Sequence, residues 1–275
     1  MRQPKTWMAG CALLAAVAMA NGCGSDTAGS PLRPGGAGGS AGAAGPSGAA
    51  GSAGPNMSNC PDGGGPVDPT ALIDDMEAGG SSLLMLGGRN GGWWAGGDMV
   101  SPTATITPNG DATAELIPGG GRCGSRRAMH VTGQGFTSWA VLTASLRYGS
   151  VDGGADGVLP YDAHDRTGIT FWARIGDTSA NQVRFGVSDK NSRPEGGVCD
   201  ATTSTGANAC YDTFGVDLTG LSTHWTQYRI PFSGLGQRNF GLHEDALDAS
   251  AVYTIDFNFY VNEIFDVWLD DIAFY

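Results

Sequence analysis

From residue 67 onward, apolar side chains recur at every second position in short segments, and Gly, Asp, Asn and Pro separate the segments. A period of two puts successive side chains on opposite faces of a strand, so each segment has one face to bury and one to hydrate. Phe185 alternates with Val183 and Val187, and Phe214, Val216 and Leu218 share one face. Phe257, Phe259 and Val261 share another, with Asp256, Asn258 and Tyr260 opposite. Strands are expected over 71–77, 93–100, 103–107, 112–117, 127–133, 137–148, 167–175, 182–188, 213–219, 225–232, 253–261 and 266–275. Only 243–249 reads as a short helical turn. Many short strands with turn signals between them predict an all-β fold over 67–275, a two-sheet antiparallel β-sandwich of the jelly-roll kind.

The first 66 residues have a different character. Residues 1–23, MRQPKTWMAGCALLAAVAMANGC, join a positive start (Arg2, Lys5) to an apolar run at 8–20. That run is too short to span a bilayer and has the shape of an export signal. Two processing sites compete. Ala18-Met19-Ala20 suits ordinary signal peptidase, and Ala20-Asn21-Gly22-Cys23 suits a lipobox with Cys23 lipidated. Cys23 is favoured, although Ala20 and Asn21 depart from the usual lipobox. An outer-membrane or cell-surface lipoprotein is therefore expected, with plain secretion as the alternative. Residues 24–66 are almost all Gly, Ala, Ser and Pro and hold 14 of the chain's 46 glycines. They cannot bury enough apolar surface to offset ordering entropy, so a disordered tether is expected. A linker of ~35 residues reaches roughly 30–35 Å. No Gly-X-Y period runs through the chain, which excludes collagen.

Charge removes some functions. The formal net charge is −12, with 15 Lys and Arg against 27 Asp and Glu. A chain this acidic lacks the basic footprint of a nucleic-acid binder, and anionic membranes would repel it. The expected partner is therefore neither; any membrane contact runs through the lipid anchor, and a monomer is expected. Asp outnumbers Glu 20 to 5 within 67–275. Asp favours turns and Glu favours helices, so the imbalance fits a loop-rich β fold. Asp-rich loops also raise the possibility of Ca²⁺.

Beyond Cys11 and Cys23 there remain Cys60, Cys123, Cys199 and Cys210. An even count in an exported chain points to disulfides. Cys199 and Cys210 flank one polar loop, so local pairing is the simplest choice, leaving Cys60 with Cys123. The spacings do not suit zinc.

Several motifs then occur in order: Ala71-Leu72-Ile73-Asp74-Asp75-Met76-Glu77-Ala78-Gly79, the pair Trp93-Trp94, Gly168-Ile169-Thr170-Phe171-Trp172-Ala173-Arg174, Trp225-Thr226-Gln227-Tyr228-Arg229-Ile230-Pro231-Phe232, and Phe265-Asp266-Val267-Trp268-Leu269-Asp270-Asp271-Ile272-Ala273-Phe274-Tyr275. Together they resemble the galactose-binding-like jelly-roll carbohydrate-binding modules, nearest to the family 11 type, over about 71–275. They also resemble exported lipoproteins of myxobacteria and related bacteria. The chain departs from that pattern at Met76, where Phe is usual, and in its Cys199–Cys210 loop.

The resemblance implies a jelly roll, a concave sheet face or loop cleft for glycans, and often a structural Ca²⁺ joining first strand to last. Asp75, Glu77, Asp270 and Asp271 are the ligands it implies; the alternative is charge at a sheet edge. The loop Asp189-Lys190-Asn191-Ser192-Arg193-Pro194-Glu195 is a second, incomplete candidate. For the glycan, an aromatic platform and planar polar groups are needed. If Ile169, Phe171, Ala173 and Ile175 face the core, Trp172 and Arg174 face outward, as do Arg184, Asp217, Asn258 and Tyr260. These six are the expected carbohydrate site; packing under a loop and cross-strand pairing are the competing roles. Trp93, Trp94, Trp139 and Trp225 read as core or rim. No catalytic residues are assigned. The four His are scattered and neither H-E-x-x-H nor G-x-S-x-G occurs. The expected function is a non-catalytic, surface-tethered carbohydrate-binding module. An adhesion or structural protein of the envelope is the alternative, followed by a glycan-active hydrolase.

Overall fold

The computed structural model describes residues 68–150 and 156–275. The expected signal peptide, the tether, Cys23 and Cys60 lie outside the described residues. Within them, fifteen strands form: β1 (Leu72–Asp74), β2 (Gly92–Gly97), β3 (Thr105–Thr107), β4 (Gly110–Asp111), β5 (Ala114–Leu116), β6 (Arg127–Gln134), β7 (Ala140–Ser145), β8 (Arg147–Ser150), β9 (Asp156–Leu159), β10 (Gly168–Ile175), β11 (Gln182–Asp189), β12 (Phe214–Thr219), β13 (Thr226–Pro231), β14 (Val252–Phe259) and β15 (Phe265–Phe274).

They assemble into two large sheets. One runs β13-β10-β15-β6-β3, with β1 added beside β15 and β5 beside β6. The other runs β12-β11-β14-β7-β2-β4, and β8 with β9 makes a separate ribbon. All named pairs are antiparallel. This is the expected two-sheet sandwich.

The inner faces meet in one apolar core. Ile169, Phe171 and Ala173 of β10 and Val267 and Leu269 of β15 come from the first sheet. Val183, Phe185 and Val187 of β11, with Ile255 and Phe257 of β14, come from the second. Phe171 joins the layers, stacked on Phe185 at 5.2 Å between ring centroids and meeting Phe257 edge-on at 5.1 Å. Each such ring contributes about 2–3 kcal/mol by leaving water.

Three expectations change at the level of elements. The first strand stops at Asp74 rather than Glu77, because Met76 takes a left-handed φ of 61° and its N–H donates to the Asp74 carboxylate. The segment 137–148 divides into β7 and β8 around buried Leu146, whose N–H leaves the pair to bond Tyr253 O. The turn expected at 243–249 forms no helix; a 3₁₀ turn follows at Ala249–Ala251. No helix among the described residues is long and apolar enough to cross a membrane.

Candidate functional site

The outer face of the six-stranded sheet carries most of the expected polar set. On β11, Arg184 sits opposite Asp217 of β12 on one side and Asn258 of β14 on the other. Arg184 donates to Asp217 Oδ1 at 3.2 Å and to Gly236 O at 2.7 Å. Gly236 belongs to a loop that forms an antiparallel bridge with Gly215 on β12. Only glycine fits at Gly215, since a Cβ there would lie 2.5 Å from Phe185 O and 2.9 Å from the Arg184 guanidinium. The loop also brings Arg238, which donates to Asp217 Oδ1 at 2.9 Å and to the Tyr260 hydroxyl at 3.3 Å. Partial burial works to raise the Asp217 carboxyl, but hydrogen bonds from Tyr260, Arg238 and Arg184 outweigh it and hold the group below the usual carboxylate range. Tyr260 moves up, through burial first and then its bond to Asp217.

The next row of the same face centres on Asp256. Its carboxylate accepts from Thr143 at 2.6 Å, Ser188 at 2.8 Å and Thr254 at 3.0 Å. A carboxylate clothed by three hydroxyls is an acceptor-rich, charge-localised patch rather than a free base.

The aromatic part of this face comes from residues assigned to core or rim by pattern alone. In β2, alternation sends Trp93 inward, where its Nε1 donates to Asp74 Oδ2 at 2.7 Å. Trp94 therefore points outward and is 38% exposed. Its indole lies across Gly96: a Cβ on that glycine would stand 2.1 Å from Trp94 Cη2. Trp139, two residues before outward-facing Val141 of β7, is 44% exposed. Trp225 is partly buried. Two open indoles beside a row of hydroxyls and guanidinium–carboxylate pairs are what an uncharged sugar ring requires: a flat apolar surface and fixed polar groups at its edge.

The six expected residues are not all brought together. Arg184, Asp217, Asn258 and Tyr260 share this face, but Trp172 and Arg174 lie on β10, in the other sheet. Both do turn away from the core, as alternation requires, but onto the opposite side of the sandwich. Trp172 is only 5% exposed, and the Arg122 guanidinium covers its ring at 3.7 Å from the centroid. Arg174 is wedged between Trp268 at 4.9 Å and Trp225 at 5.3 Å. Neither can share a ligand with Arg184 through the thickness of two sheets.

The four acidic residues implied as calcium ligands gather where β1 joins β15. Asp270 is fully buried, and burial together with the adjacent Asp271 raises its carboxyl to about 8. Asp271, at φ 50°, bonds Arg122 at 2.6 Å; burial raises its carboxyl against the pull of that arginine. Asp270 Oδ2 and Asp271 Oδ1 are buried without a hydrogen-bond partner. Asp75 accepts from the N–H of Glu77. Glu77 itself is turned onto the N–H groups of Arg126 and Arg127 at 2.7 and 3.0 Å. Among the described residues, no three His, Cys, Asp or Glu side chains converge as a metal site. The second candidate loop is self-contained. Asp189 accepts from Asn191, Ser192 and Asp248, Lys190 pairs with Asp248, and Glu195 pairs with Arg193.

Cys199 and Cys210 form a disulfide, as expected. Cys123 is also a disulfide cysteine.

The model of the family "Carbohydrate binding domain 30" matches residues 87–275. The chain belongs to this family. It is a carbohydrate-binding module, of family 30 where the motifs resemble the family 11 type. Among solved structures it is similar to the family 11 carbohydrate-binding module from Clostridium thermocellum in complex with a β-1,3-1,4-mixed-linked tetrasaccharide, at 19% identity over 74% of this chain and 94% of that one, with a TM-score of 0.45. It is similar to the family 30 module of a cellulosomal cellulase of the same organism, at 17% identity over 66% of this chain and 90% of that one, TM-score 0.42. An exo-β-agarase matches at 15% identity over 74% of this chain and 25% of that enzyme, TM-score 0.43. No curated protein matches the chain.

Proposed function

We propose that this module binds an uncharged poly- or oligosaccharide across the outer face of its six-stranded sheet, without catalysing its cleavage. Trp94 and Trp139 stack on sugar rings, while Arg184, Asp217, Asn258, Arg238 and Tyr260 meet hydroxyls at the ring edges. The single observation that carries this placement is the pair of open indoles on the face that also holds four of the six expected polar and aromatic residues. Uncharged glycans are favoured because the positive groups of the face are already paired with Asp217 and because the chain's net charge of −12 repels polyanions. The non-catalytic reading follows the family match; on this face Asp217 and Asp256 are engaged by donors, while Asp111 lies opposite the outward Trp94 and is exposed.

The rest of the proposal concerns display. Export, lipidation at Cys23 and a tether over 24–66 would hold a monomeric module away from a membrane. A Ca²⁺ ion held by Asp270 and Asp271 would serve structure; the two unpartnered carboxylate oxygens support it. Backbone carbonyls or water would complete the six to eight oxygens calcium takes.

A glycan array with the intact domain tests the function. Binding to at least one neutral glycan is expected, and Trp94→Ala should weaken it at least tenfold. Silence across plant, bacterial and envelope glycans would reject the reading in favour of a protein-binding role.

A further inference from the structure

The Cys199–Cys210 loop sits at the β12 end of the same face, and one of its flanking residues is conspicuous. Tyr211 follows the second cysteine directly, is 45% exposed, and holds a left-handed φ of 72°. A bulky side chain in that region costs energy unless its surroundings over-determine it. Here they do. The disulfide fixes the residue before it, the Tyr211 N–H donates to Ser192 O at 2.8 Å, and the Arg193 guanidinium stands 5.7 Å from its ring. Arg193 is in turn held by both oxygens of Glu195, at 3.1 and 3.0 Å. The residue after it is equally fixed. The buried Asp212 carboxylate accepts N–H groups from Arg238, Phe240 and Gly241 at 2.8, 2.9 and 3.2 Å. The loop is thereby stapled to the segment that delivers Arg238 to Asp217 and Tyr260.

Thr213, two residues on, ties this stretch to the β12 edge of the same face. Thr213 reaches over Gly186, where a Cβ would meet its hydroxyl at 3.0 Å. Trp94 on β2 and Tyr211 ahead of β12 are separated by the order β12-β11-β14-β7-β2. Four inter-strand steps of ~4.8 Å put them at least about 19 Å apart, more with the four residues from Gly215, which shares the row of Trp94, back to Tyr211. A single sugar ring cannot touch both; a chain of several rings laid across the strands can.

Resting on the function proposed above, we infer that Tyr211 is a second stacking platform for the same neutral glycan. Held by the Cys199–Cys210 loop, it makes the module favour longer chains. Trp94 and its neighbours bind any chain long enough to cover them, and Tyr211 adds affinity only when the glycan extends to the β12 end.

Calorimetric titration with mixed-linked β-1,3-1,4-gluco-, cello-, xylo- and manno-oligosaccharides, each from disaccharide to hexasaccharide, tests this on the full exported chain. Tyr211→Ala should lower affinity about five- to tenfold for the longest ligands bound and leave the shortest unchanged. Tyr211→Phe should keep wild-type affinity, since the ring remains. Trp94→Ala should weaken every length. The double variant Cys199→Ser/Cys210→Ser should reproduce the length-selective loss of Tyr211→Ala. If Tyr211→Ala binds all lengths as the wild type does while Trp94→Ala is weakened, the inference fails and the glycan face stands. A loss that is equal at every length would likewise overturn it. If the wild type binds none of these ligands and the array is silent, the function falls and this inference with it.

Discussion

The two outer faces of the sandwich carry similar residues in opposite arrangements. On the seven-stranded side every tryptophan has something resting on it. Arg122 lies over Trp172, Arg174 between Trp225 and Trp268, and His130 is stacked on Trp268 at 3.7 Å with an interplanar angle of 10°. His130 is pinned in place by Glu115 and Asp266. On the six-stranded side Arg184 and Arg238 are drawn down onto Asp217, and Trp94 and Trp139 stay open. Cation–π contacts close the first face, whereas guanidinium–carboxylate pairs leave the second one available. An outward-pointing aromatic is a platform only when the nearby cations have a better partner.

That contrast can be broken from either side. The largest effect belongs to the closed face. Trp172→Ala removes a buried ring and should cost about 3–5 kcal/mol in chemical denaturation, with unchanged glycan affinity in the folded protein. Weakened binding at full stability would reverse the roles of the two faces. Asp270 gives the next effect, in EDTA. Its carboxyl stands at about 8 in the fold against about 3.9 in an unfolded chain. The unfolded state therefore releases its proton first as pH rises. The contribution of this group to stability should be greatest below about pH 4, fall through the interval up to about pH 8 and then level off. Asp270→Asn should flatten the slope in thermal melts, leaving the part that Asp74, raised by burial to about 6, and Asp271 supply. Calcium should flatten the slope too in the wild type by stabilising the ionised pair; a melt that calcium leaves untouched would eliminate the proposed ion. The smallest effect sharpens the open face. Gly96→Ala drives a methyl group into the Trp94 ring, so glycan affinity should fall several-fold while the melting temperature changes little, because the displaced indole is already at the surface.

What the sequence made legible follows the reach of each interaction. Strands such as β11, β12 and β14 were readable because burial of one face imposes a local period of two. The Cys199–Cys210 pair was readable because its partners are 11 residues apart across one polar loop. Which layer a strand joins is a different matter. Trp172 and Arg184 both point outward by alternation, but β10 pairs with β15 and β11 with β14, and those long-range pairings put them on opposite surfaces. Trp93 and Trp94 show the same limit at closer range. Alternation demands that one be inside, but the partner that receives Trp93 is Asp74, on a different strand. The 189–195 loop shows the converse. Its acidic spacing suits a cation, and in the fold the Asp189 carboxylate accepts N–H groups from Asn191, Ser192 and the distant Asp248.

The bridge between Gly215 and Gly236 has a further meaning for the edge of the six-stranded sheet. β12 is the last strand of its sheet, and a bare last strand is an invitation for a neighbouring copy to continue the ladder. Gly236 answers both backbone groups of Gly215, each at 3.0 Å, and accepts Arg184 with the same carbonyl. Closure of this sheet edge and the placement of Arg184 thus share one residue, and variation in this loop has to satisfy both at once.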